Sequence, residues 1–349
     1  MSRSSPCSAA CSLVRLGRVV TRAIALGITV ASIGVPSLHA QPPAPPLPRR
    51  FNIDASHSSV GFAVKFMGLS TVRGAFADVA GTIMYAEGDL TRSTVNVIID
   101  VASINTNSRT RDQHLRSPDF FDAAKYPTIT FRSTRITRTP AGLAVRGTFT
   151  MHGVTKELDV PFVQLNAPVP DAWGNSRATF QGGLRVSRKE YGIKGTAFWN
   201  GEFDPGRMAV SDDVDIELLV SANVPNPLRW THPMGDSLLA SVEADGVADA
   251  VRRFKGAYAG SPRVDSVPEF AFVLVGEKLA AKGRAADAIT FYEGILETRP
   301  AAGAVRQLLG EAYVKTGQLA RARREFERVV REFPESTAAA EWLRVLPAT

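Results

Sequence analysis

Cysteine is almost missing from this chain. Only Cys7 and Cys11 occur in 349 residues, both near the N-terminus. No disulfide framework, thiol nucleophile or cysteine metal site is therefore expected in the body of the protein. Histidine is scarce as well: His57, His114 and His152 stand alone in separate segments. A locally encoded metal site needs ligands at short fixed spacing, such as two histidines one helical turn apart, so no metal is expected. There is no "GxSxG" elbow and no phosphate-binding glycine loop. Ser, His and Asp are too common to count as a triad, and no catalytic residue or enzyme activity is expected.

Acid is absent until Asp54, and so is any long apolar run. The uncharged stretch "AIALGITVASIGVPSL" is 16 residues and contains Pro36, short of the roughly 20 that span a bilayer. Arg3, Arg15, Arg18 and Arg22 precede it. Residues 1–40 thus read as an export signal cleaved after Ala40, which predicts a periplasmic or extracellular protein without a stable transmembrane segment; a retained anchor is the alternative. Removing those four arginines takes the formal charge from +7 to +3, too little to suggest a nucleic-acid partner.

What the chain does have is order by segment. Residues 41–50, "QPPAPPLPRR", hold five prolines in ten and make a stiff, extended linker. From 51 to 224 the pattern has a period of two. Val60, Phe62, Val64 and Phe66 alternate with Gly61, Ala63 and Lys65, and similar runs occur at 95–101, 129–131, 145–151, 158–162, 180–186 and 214–220. Seven or eight antiparallel strands with one apolar face form a barrel or sandwich. The proline-bearing stretch 225–235 ends the alternation and reads as a linker.

From 236 to 346 the apolar spacing turns helical. Gly276, Gly283, Ala288, Tyr292 and Pro300 recur 34 residues later as Gly310, Gly317, Ala322, Phe326 and Pro334. Small residues let paired helices approach, an aromatic fills the gap and proline stops the second helix; this resembles tandem tetratricopeptide repeats. Such repeats suit a peptide or protein partner, or docking on the barrel. The fold class expected is mainly β plus α, an antiparallel β-barrel followed by an α-helical solenoid.

Four stretches occur in order in the strand region: "FNIDASHSSVGFAVKFMGLSTVRGAF", "TNSRTRDQHLRSPDFFDAAKYPTITFRST", "GTFTMHGVTKELDVPF" and "SRKEYGIKG". Together they resemble the YceI-like family of polyisoprenoid-binding proteins over residues 51–224. The resemblance implies an exported, lipocalin-like barrel that encloses a long-chain isoprenoid lipid or quinone and requires no other cofactor. The residues expected to line its cavity are Val60, Phe62, Val64, Phe66, Val97, Ile99, Phe131, Phe149, Met151, Phe162, Phe180, Leu184, Ile216 and Leu218. Pattern alone leaves a filled, ligand-free barrel equally open. In the loop-like run after Thr106, and at Arg188, the candidates for a diphosphate- or quinone-binding rim are Arg109, Arg111, Asp112, His114, Arg116, Lys125 and Arg188. The same run also reads as a plug, with Phe120 and Phe121 closing the barrel end. Two functions follow: an exported isoprenoid carrier with repeats for a protein partner, or a repeat scaffold on a filled barrel.

Overall fold

In the computed structural model the described residues are 45–258 and 267–347. The expected export signal and both cysteines lie outside them. From Pro46 onward the chain forms one compact unit.

The first barrel stave is bent into two pieces, β1 (Arg49–Ile53) and β2 (Ser59–Phe66). Between them lies a 3-10 turn whose capping Asp54 accepts a hydrogen bond from the Ser56 amide. The next two staves break in the same way, into β3 (Ser70–Phe76) and β4 (Val79–Tyr85), then β5 (Thr94–Asp100) and β6 (Ile104–Asn105). Helix α1 (Arg109–Arg116) follows. Four long strands come after it, β7 (Thr128–Thr139), β8 (Gly142–Met151), β9 (Val154–Pro170) and β10 (Ser176–Ser187). A short helix α2 (Ala197–Asn200) and a small hairpin of β11 (Glu202–Asp204) and β12 (Arg207–Met208) lead into β13 (Val210–Val224).

Pairing closes the sheet. The order β1-β4-β5-β7-β8-β9-β10-β13 returns to β1 through Asn52↔Asn223 and Ile53↔Ala222. The result is an eight-stranded antiparallel barrel that exposes no long strand edge. The sequence explains two local details. β8 and β9 meet at His152 and Gly153, with φ of 52° and 75°, the two positive values that a type I′ turn demands. Glycine at 182 makes room for Phe162 opposite: a Cβ there would lie 2.6 Å from the ring.

Seven helices complete the described chain: α3 (Pro233–Asp245), α4 (Val247–Tyr258), α5 (Glu269–Ala281), α6 (Ala285–Thr298), α7 (Gly303–Lys315), α8 (Leu319–Glu332) and α9 (Thr337–Val345). The 34-residue period has a steric cause. A Cβ on Gly276 would fall 2.1 Å from the Tyr292 ring, and one on Gly310 would fall 2.6 Å from Phe326. Each second helix therefore packs its aromatic ring directly on the backbone of the first.

The helices dock on the outside of the barrel. Met84, on the outer face of β4, is fully buried in their core. Arg50 of β1 pairs with Glu311 of α7 at 2.6 Å. Thr82 bonds Thr337 at 2.9 Å, and Arg344 donates to the Ser133 carbonyl at 2.6 Å. Glu277 and Glu311 stand at equivalent positions, one period apart, and Arg50 feels the charge of both. The face that the first helices present is thus the face that grips the barrel.

Candidate functional site: an apolar cavity inside the barrel

Alternation points one side chain in two toward the barrel axis, and the inward side chains here are almost all hydrocarbon. They surround a cavity of about 160 Å³. Its wall includes Val60, Val97, Ile99, Phe131, Phe149, Met151, Phe162, Phe180, Leu184, Ile216 and Leu218. The only hydroxyl-bearing residues lining it are Ser58, Ser93 and Tyr85.

Three expected lining residues do not reach this wall: Phe62, Val64 and Phe66. They share a face with Val60 on the same strand, but lie farther along β2, past the cavity and in its capped end. There Phe62 packs on Phe76, with ring centroids 5.8 Å apart, and Phe66 on Trp199 at 6.5 Å. A period of two gives the side of a strand, not the depth at which an interior stops being hollow.

Other wall residues escaped the sequence reading, among them Ile53, Phe76, Val79, Ile83, Val95, Ile136, Leu143, Val145, Leu158 and Val160. β4 shows why. Its run "VAGTIMY" does not alternate in burial, because Thr82 and Met84 on its outer face are covered by helices while Ile83 and Tyr85 face inward. A signal was present in "TVNVIID", whose Val95 alternates in phase with Val97 and Ile99.

The charged run after Thr106 is not a loop but α1 and the turns that follow it. They close one barrel end: Phe120 is buried, and Phe121 meets Phe76 edge-on at 5.8 Å. Tyr191 meets Phe149 edge-on at 5.5 Å from the same side. The polar groups of this cap are mostly engaged within it. Buried Asp112 accepts from the Thr106 amide at 2.9 Å and from its hydroxyl at 2.5 Å. Arg111 donates to the Thr106 hydroxyl and carbonyl, and Arg116 to the Ile104 carbonyl. His114 pairs with Asp119 at 2.9 Å. Arg109 and Lys125 are exposed, the latter over the Tyr126 ring.

Arg188 departs furthest from the expected rim. It is 5% exposed and donates to the carbonyls of Ser211, Ile193, Lys194 and Val210. Burial pulls its guanidinium below the ordinary value, against the opposing charge of Asp212 at 3.4 Å. Such a group braces backbone; it does not wait for a ligand. The structure therefore gathers eleven of the fourteen apolar candidates around one space, and engages most of the polar ones in hydrogen bonds and ion pairs of their own.

Among the described residues no three metal-ligating side chains cluster, and no helix is long and apolar enough to cross a membrane.

Comparison with known proteins finds matches to two parts of the chain. A model of the YceI-like domain matches residues 51–222, and a tetratricopeptide repeat model matches residues 279–344. A UPF0312 protein of Vibrio cholerae is 36% identical over 166 residues, which cover 47% of this chain and 81% of that protein. Protein YceI of Escherichia coli is 34% identical over 169 residues, 48% of this chain and 86% of its own. Among solved structures, BcnA of Burkholderia cenocepacia is similar with a TM-score of 0.42 and 24% identity, covering 48% of this chain and 98% of its own. A polyisoprenoid binding domain from Saccharophagus degradans has a TM-score of 0.39 and 19% identity, covering 50% of this chain and 98% of its own.

Proposed function

This chain belongs to the YceI-like family, and from that premise we propose that it is an exported carrier which holds a long-chain isoprenoid, of the polyprenyl phosphate or quinone type, in its barrel. The observation that carries the reading is the wall itself, hydrocarbon along almost its whole length inside a closed barrel. Burying a five-carbon unit there removes apolar surface from water at about 0.8 kcal/mol per carbon, roughly 4 kcal/mol per unit. A tail needs no polar partner for affinity. The reading requires no catalytic group and no cofactor beyond the lipid. The tetratricopeptide repeats supply a protein-interaction surface on the faces that the barrel leaves open.

The test is native mass spectrometry and organic extraction of the mature protein purified from an exporting host. The expected result is stoichiometric isoprenoid. A clean apo mass that persists after incubation with quinones and polyprenyl phosphates overturns the carrier reading and leaves a repeat scaffold on a filled barrel. Phe131→Asp places a charge in the wall, where no partner stands to satisfy it. It is expected to strip the lipid while the helical signal stays intact, and unchanged lipid content in a folded variant removes Phe131 from the binding surface.

A further inference from the structure

A second concavity lies outside the barrel, where β9, β10 and the stretch after β13 meet. It measures about 660 Å³, within the range of small-molecule sites. Two indoles flank it. Trp173 is 62% exposed and Trp230 is 46% exposed, an uncommon use of the largest side chain on a surface with no partner.

Both are held in place. Trp173 sits in the β9–β10 turn, where the Asp171 carboxylate accepts from the amides of Trp173 and Asn175 at 2.9 and 3.0 Å. The Asn175 side-chain Oδ1 in turn accepts from the Asn226 backbone amide at 2.9 Å, tying this turn to the segment that bears the other indole. Trp230 packs on Phe270 of α5, with centroids 5.7 Å apart. Between the indoles lies a polar floor. Asp54 accepts from Arg177 at 2.7 Å, His57 at 2.8 Å and Asn223 at 3.3 Å. Arg229 on the rim has no side-chain partner among the described residues.

The chemistry of these walls discriminates between ligands. An anion would face the Asp54 carboxylate with one unengaged guanidinium to hold it, which under-compensates its charge. An aromatic ring gains most from an enclosed apolar slot, and this cleft is open with a polar floor. A bilayer surface meets convex aromatic edges, whereas these line a hollow. A neutral, hydroxyl-rich ring fits what remains: one face stacks on an indole while planar amide, imidazole and guanidinium groups meet its hydroxyls.

We propose that the Trp173–Trp230 cleft binds a saccharide. Pro225, Arg229 and Trp230 lie beyond the residues that match the YceI-like domain, so the site belongs to this joined architecture and not to the barrel alone.

The experiment titrates the mature full-length protein with cellotetraose, maltotetraose and triacetylchitotriose, followed by calorimetry and indole fluorescence. At least one is expected to bind and shift the emission. Trp173→Ala and Trp230→Ala should each weaken it roughly tenfold without changing extracted lipid. No heat from any of the three at millimolar concentration overturns the proposal, as does binding that both variants leave unchanged. If instead the variants lose barrel lipid, the cleft serves that ligand and the saccharide assignment falls while the carrier reading stands.

Discussion

Glu341 is fully buried in α9, and three partners hold it there. Arg344 donates to both of its oxygens at 2.9 Å, the Thr94 hydroxyl donates from β5, and Arg132 of β7 stands 3.4 Å away. Removing a buried carboxylate strands the donors built around it. Glu341→Ala is expected to cost on the order of 2–4 kcal/mol in urea unfolding, with Glu341→Gln milder because it keeps two acceptor lone pairs. Asp54 makes a prediction in pH. Burial alone would push its carboxyl up, but hydrogen bonds from Arg177 and His57 outweigh that and hold it below the ordinary 3.8. A carboxyl lowered on folding adds stability that is present above its unfolded value and lost as pH falls through its folded one. The urea midpoint is expected to drop below about pH 4, and Asp54→Asn should flatten that drop. A midpoint as steep in the variant as in the parent assigns the drop elsewhere. None of this was legible from residue type. Asp54 and Glu341 look like any surface acid until the fold places Arg177 123 positions away beside one and Thr94 247 positions away beside the other.

Elements were legible to different degrees, for physical reasons. Where one face meets the core and the other meets water, as in β8, alternation fixes both strand and side. Where both faces are covered, as in β4, the pattern vanishes. The repeats were legible because their constraint is local: Gly276 must admit Tyr292 sixteen residues on, and Gly310 must admit Phe326. Gly276→Ala should therefore destabilise the helices by about 2 kcal/mol through overpacking, despite the helix propensity that alanine adds. Thermal melting followed at 222 nm reads this, and an unchanged midpoint would mean that the pair relaxes at no cost. Helix α1 was missed because its run of charges carries no apolar stripe. Tertiary partners for Asp112 and Arg116, rather than propensity, hold it in place.

Across the whole molecule, barrel and repeats share a seam that composition does not announce. Arg50 is its most telling group. Burial would lower its charge affinity, but Glu311 and then Glu277 more than compensate, so the guanidinium is raised above its ordinary value. Arg50→Glu sets a third acid against those two. Small-angle scattering of the variant is expected to give a larger radius of gyration, and melting should split into separate barrel and helix transitions. One unsplit transition at unchanged compactness would show that Met84 and the Glu341 cluster hold the seam without it.

β1 pairs with β13, about 170 residues later in the chain, and β1 also carries Arg50, whose mate Glu311 is 261 positions away. A ribosome delivers this chain from the N-terminal side onward. The first strand is therefore made early and finished late: it waits for β13 before the ring can shut, and longer still for α7 before its outer face is covered. Contacts this distant are slow to form. The interval in which β1 is synthesised but unpaired is when this protein is most open to pairing with the wrong neighbour, and its length is set by the speed of delivery rather than by any side chain.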